Sequence, residues 1–174
     1  TAEDVIFNGT VGQTLDLGAI DITGNLDLNA DIGNTGGTAG AASLAVSGTT
    51  DLGADVTTVG TQTYGGITTV SVASTLATTN SNITFNNTIV GDGGADGLTL
   101  NMGSGIVEFN GAVGGTAIGA IAITGGLNLD AAITSAASLT VSTTSNLGAS
   151  VTTSGVQTYT GNSTLSGNGA LNFT

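Results

Sequence analysis

Lysine, arginine, histidine, cysteine, proline and tryptophan are all missing from these 174 residues, and aromatic residues make up only 3%. Each absence excludes something. Without a basic side chain, the net charge of −12 comes from twelve carboxylates that have no cationic partner in the chain. Phosphate neutralisation is then out of reach, so nucleic acid is excluded as a partner, and attraction to an anionic membrane surface fails for the same reason. General-base, thiol and cationic oxyanion chemistry lose their usual residues, which argues against an enzyme. No apolar run is long enough for a membrane-spanning helix; the longest, AIGAIAI, covers residues 117–123. A chain without Lys or Arg also offers no site to trypsin-like proteases, which suits an extracellular or cell-surface location.

What remains is 39% apolar residues, mostly Val, Ile, Leu and Ala, with 30 glycines and abundant Thr. That apolar content suffices for a core, and the mixture favours strands and tight turns. Apolar residues alternate in short bursts, such as IDI (residues 20–22), LDL (26–28), ITF (83–85), LTL (98–100) and IAI (121–123). Period-two alternation over three to five residues, broken by Gly, Asn and Thr, marks short strands with one buried face. No sustained helical period occurs.

Internal repetition is the strongest signal. FNGTVG (7–12) returns as FNGAVG (109–114), at an offset of 102. GAIDITGNLDLNADI (18–32) returns as GAIAITGGLNLDAAI (119–133), with ten of fifteen positions identical. AASLAVSGTTDLGADVTTVGTQTYGG (41–66) returns as AASLTVSTTSNLGASVTTSGVQTYTG (136–161), with 18 of 26 identical at an offset of 95. The chain therefore reads as two diverged copies, about 5–106 and 107–174, in one β-solenoid. The change of offset comes from GNTGGTAG (33–40), shortened to TS (134–135) in the second copy, and such a length change belongs on a surface turn. The last residues, GALNFT, run into the first, TAEDVIFNG, as a text resembling the internal DGLTLNMGSGIVEFNG (96–111). The unit is expected to continue head to tail, by tandem repetition or by stacking of copies.

Short strands at short intervals predict a parallel β-helix of eight or so coils of about 20 residues, about 40 Å long. Its interior is expected to hold stacked aliphatic residues with little room for aromatics, and Asn and Thr are expected to form ladders from coil to coil. The alternative is a pilin-like β-sandwich in which EDVIFNGTVG (3–12) is donated to a neighbour.

Several residues have the chemistry of a site. Asp16, Asp21, Asp27, Asp31, Asp51 and Asp55 could supply oxygen ligands to Ca²⁺. The second copy replaces Asp21, Asp27, Asp31, Asp51 and Asp55 by Ala122, Asn128, Ala132, Asn146 and Ser150 while keeping the flanking Leu, Ile and Gly, which favours a solvated face. Asp92 and Asp96, in GDGGADG (91–97), partly match the glycine–aspartate turns of calcium-binding β-rolls and are the candidate metal ligands. An Asp51–Asp55 pair has the residue types of a glycosidase, but basic residues to handle acidic sugars are lacking. Asn8, Asn82, Asn86, Asn162 and Asn172 head Asn-x-Ser/Thr triplets that permit N-glycosylation, although chance alone would give about four. Tyr64 and Tyr159, in paired QTY motifs, are either surface aromatics for contacts or members of a structural stack.

The segments LGADVTTVGTQTYGG and LGASVTTSGVQTYTG, with TFNN and FNGAVGG, resemble the β-strand-repeat regions of large bacterial surface proteins of the filamentous-haemagglutinin and autotransporter-adhesin type. The resemblance covers most of the chain. It implies a secreted right-handed β-helix that serves as a fibre, adhesin or matrix (biofilm) component, with no catalytic residues to carry over. The expectation is a non-enzymatic structural subunit of an extracellular filament or cell-surface fibre. Its main partner would be itself, with divalent cations or glycans as further partners; an adhesin passenger or stalk that binds glycans or a host surface, and a donor-strand pilin, are the alternatives.

Overall fold

The computed structural model describes residues 3–33, 40–167 and 169–173, with Phe173 described by its backbone alone. Among them there is no helix, and stacked parallel strands form a β-solenoid of about eight turns. Each turn contributes to three strand ladders, called here faces 1, 2 and 3 in the order the chain visits them.

On the inner side of face 1 the ladder runs Val5, Leu26, Thr50, Thr68, Ile89, Val113, Ile133, Val151, Leu171. Face 2 stacks Val11, Ile32, Val56, Leu76, Leu100, Ile123, Val141 and Tyr159. Face 3 stacks Ile22, Val46, Tyr64, Phe85, Phe109, Leu129, Leu147 and Leu165. Successive members of the face 1 ladder are 18 to 24 residues apart. At the usual strand spacing, eight turns rise about 38 Å.

The three-residue bursts explain the coil. In Thr50–Leu52, Val56–Thr58, Ile83–Phe85 and Ile89–Gly91 the outer residues of each triplet are buried and the middle one is not. Three residues are enough to put two side chains inward before the chain must turn. The turns are tight because successive coils touch there. Gly48 donates its amide to the Gly24 carbonyl (2.7 Å) and Gly66 to the Gly48 carbonyl (2.9 Å), and a Cβ at Gly66 would collide with Gly48. Of the 33–40 insertion, residues 34–39 lie outside the described residues. Its flanks do not: a Cβ on Gly33 would lie 3.1 Å from the Gly40 Cα, so the chain leaves and rejoins the coil at one point.

The interior is one apolar cluster running from Ile22 to Val151, and it admits aromatics after all. Tyr64, Phe85 and Phe109 are fully buried on consecutive coils of face 3, with ring centroids 4.9 Å apart (stacked) and 5.6 Å apart (tilted). A flat ring fits because the ring on a neighbouring coil gives it a face or an edge to pack against, stacked for Tyr64 on Phe85 and tilted for Phe85 on Phe109.

The two copies are not stacked face on face. From Phe7 on face 1, four turns lead through Leu28, Leu52 and Val70 to Gly91, again on face 1. Two faces further on comes its counterpart Phe109, on face 3. Likewise Val56 on face 2 corresponds to Val151 on face 1, and Tyr64 on face 3 to Tyr159 on face 2. The repeat spans four turns and two faces, so equivalent residues lie on different sides of the rod. The sandwich alternative is excluded, because Asp4–Phe7 is already paired in parallel with Asn25–Leu28 as part of the first coil.

Candidate functional site

The outer surface carries ladders of polar side chains. Asn29 Nδ2 donates to Asn8 Oδ1 (3.2 Å), Asn110 to Asn86 (3.1 Å) and Asn146 to Asn128 (2.8 Å), each one coil apart, as the sequence predicts. In the first copy the positions of Asn128 and Asn146 hold Asp27 and Asp51, neighbours on face 1. Asp51 accepts from the Ser71 hydroxyl at 2.5 Å. At the corner between faces 1 and 2, Asp31 accepts the Asp55 amide (3.1 Å) and Asp55 accepts the Thr75 amide (2.7 Å). Ser150, the counterpart of Asp55, accepts the Ala170 amide at 3.0 Å. What this position supplies is an oxygen for a backbone donor one coil up, and a hydroxyl serves as well as a carboxylate. Asp16 and Asp21 are exposed on the first coil.

Among the described residues no three acidic side chains gather as a metal site. Asp92 caps its own turn by accepting the Gly94 amide at 2.8 Å, and the Asp96 carboxylate also lies close to Gly94. The turn is an exposed corner between faces 1 and 2. Asp51 and Asp55 point to different tasks, one to Ser71 and one to the next coil's backbone. Of the five glycan-permitting asparagines, Asn8, Asn86, Asn162 and Asn172 are exposed. Asn82 is half-buried, with Oδ1 accepting the Ile106 amide at 3.0 Å.

The paired QTY motifs form an internal brace. Gln62 is fully buried; its Nε2 donates to the Ala77 carbonyl of the following coil (2.9 Å) and reaches Thr58 Oγ1 (3.2 Å) and the Val56 carbonyl (3.3 Å). Its Oε1 accepts the Tyr64 hydroxyl at 2.9 Å. Gln157 repeats the pattern, donating to the Asn172 carbonyl (2.7 Å) and accepting from Tyr159 (3.2 Å). Sequence reasoning singled out the tyrosines and passed over the glutamines, although both copies retain VTTxGxQTY. Tyr64 is therefore a core residue and offers nothing to a surface ligand. Burial raises the phenol pKa of both, that of Tyr159 to about 12.

Tyr159 differs from Tyr64 in being only partly covered, because it belongs to the last described coil. Among the described residues, the strands of the first and last coils pair on one side only. At one end these are Asp4–Phe7, Val11 and Leu17–Ile22. At the other they are Gln157–Tyr159, Ser163–Leu165 and Leu171–Phe173. Leu165 and Leu171, inward-facing on the last coil, leave apolar surface there. The ends differ in charge: Glu3, Asp4, Asp16 and Asp21 are exposed at the first coil, whereas no carboxylate side chain follows Asp130.

Comparison with protein-family models, curated proteins and solved structures finds no match. The functional argument rests on the geometry of this chain.

Proposed function

We propose that this chain is a non-enzymatic structural segment of an extracellular filament or cell-surface fibre, extended end to end along the solenoid axis. The observation that carries the reading is that the last described coil repeats one that is covered inside the rod: Gln157 and Tyr159 stand where Gln62 and Tyr64 do, and the latter pair lies beneath Ile83 and Phe85. A strand edge with unpaired amides and carbonyls beside uncovered apolar side chains is a template for further strands. Every added coil repeats the same parallel pairing and lengthens the dry core, as in other quasi-one-dimensional folds. The excess of negative charge on the sides keeps rods apart laterally, and divalent cations would weaken that repulsion.

Cryo-electron microscopy of the native material tests this. The expected result is filaments with a strong meridional reflection near ~4.8 Å whose reconstruction shows three-ladder coils. Beads repeating at domain size without that reflection, or no filaments at all, would overturn it.

A further inference from the structure

The two ends fit each other in one particular rotation. Inside the chain, the coil carrying Gln62, Tyr64, Thr68 and Leu76 is covered by Ile83, Phe85, Ile89 and Leu100 of the next coil. Phe85 stacks on Tyr64, and the Asn86 amide donates to the Tyr64 carbonyl at 2.9 Å. The last coil is the repeat of the covered one: Gln157, Tyr159, Ser163 and Leu171 stand 95 residues after Gln62, Tyr64, Thr68 and Leu76. The first coil is equivalent to the covering one. Val5, Phe7, Val11, Ile20 and Ile22 stand, without a gap, 78 residues before Ile83, Phe85, Ile89, Leu98 and Leu100, and both segments read Phe-Asn-x-Thr from the phenylalanine on.

We propose that the first coil of a second copy of this chain covers the last coil, with Val5 on Gln157, Phe7 on Tyr159, Val11 on Ser163 and Ile22 on Leu171. This rests on the end-to-end reading and specifies its register. Phe7 lies on face 1 of its own copy and lands on face 2 of the copy beneath, so each copy is turned by one face relative to the last. Tyr159 then gains the ring that Tyr64 already has, and its brace with Gln157 is closed from above. The contact sets the acidic first coil against a coil without charge. The opposite arrangement, first coil to first coil, would bring Glu3, Asp4, Asp16 and Asp21 of two copies together and turn the strand pairing antiparallel.

The register is read by disulfide trapping. By analogy with the Thr63–Thr84 pair, outward-pointing Thr158 and Ile6 become neighbours across the junction. Adjacent strands bring Cα atoms within the range a disulfide spans. The chain has no cysteine, and its two ends are eight coils apart, so neither background nor an internal link interferes. Ile6→Cys is mixed under oxidising conditions with mass-tagged Thr158→Cys, and separately with Thr164→Cys on face 3 and Asn172→Cys on face 1. The expected result is a mixed disulfide-linked dimer with Thr158→Cys, at least ten-fold more abundant than with the other two. Equal or stronger linking at position 164 or 172, or filaments in the microscope without the 6–158 link, overturns this register and leaves end-to-end assembly standing. No link in any mixture, together with monomers only in sedimentation, overturns both.

Discussion

Thr50 and Thr68 are neighbours on the inner side of face 1, and both hydroxyls are enclosed without a hydrogen-bond partner, as is that of Ser145, the counterpart of Thr50. A buried hydroxyl left unpaired costs about 1–3 kcal/mol. Valine has the same shape without that group. Thr68→Val is expected to raise stability by about 1 kcal/mol, and adding Thr50→Val to give less than twice that, because the residues touch. Thr58→Val is the control in the other direction, since the Thr58 hydroxyl donates to the Gly60 carbonyl at 2.7 Å and also meets Gln62. Urea unfolding of the three variants checks the signs; a loss at Thr68→Val would mean that the hydroxyl is satisfied in solution. At this scale the sequence was only partly legible. That Asp27, Asp51 and Asp55 are dispensable was visible from their replacement in the second copy. That Asp55 and Ser150 do the same work was not, because the shared partner is a backbone amide, which leaves no mark in the sequence.

At the scale of the element, the three-residue strands were legible from their alternation alone, and the outward asparagine ladders followed from stacking. Which residue sits on which face was not legible, since turns of 18 to 24 residues carry no fixed period. The expectation of an interior too narrow for aromatics failed for that reason: Tyr64, Phe85 and Phe109 are about one turn apart, and only the register reveals that they stack. The Val56–Thr58 and Gln62–Tyr64 pair of strands with its glutamine brace also sets an alkaline limit to the fold. With no Lys, Arg, His or Cys, the tyrosines are the side chains that titrate above neutrality. Unfolded, each phenol loses its proton near 10, the ordinary value; folded, Tyr159 holds it to about 12 and Tyr64 holds it further. Above pH 10 the folded state therefore binds more protons, and stability falls as pH rises. The expected profile is flat from pH 7 to about 9.5, then declining, by up to about 1.4 kcal/mol per pH unit for fully buried Tyr64 and by less for Tyr159, which water screens. Tyr64→Phe should remove most of the slope; an unchanged slope would place the alkaline transition elsewhere.

For the molecule as a whole, the duplication is a screw operation and not a stack. Because one repeat advances the chain by four turns and two faces, a feature carried at one repeat position moves to another side of the rod in the next copy. It returns to its first side only after three copies. Decorations therefore wind around such a fibre and do not line up along it, and the sides of the rod become alike over a long enough array. Stability in this architecture is a sum of nearest-neighbour contacts between coils. Coils between Leu44 and Leu129 are covered from both sides, and the first and last from one. Local opening should then begin at the ends, and earliest at Ser163–Leu165, whose three residues are all exposed. Hydrogen exchange on dispersed material is expected to show strong protection in Ile83–Phe85 and Leu98–Phe109 and weak protection in Asp4–Phe7 and Ser163–Leu165. In assembled material the weak segments should rise to the level of the centre, because each end coil then has a coil on its open side. Protection that stays low at Gln157–Tyr159 and Asp4–Phe7 while filaments persist would mean that the ends are not where the copies meet.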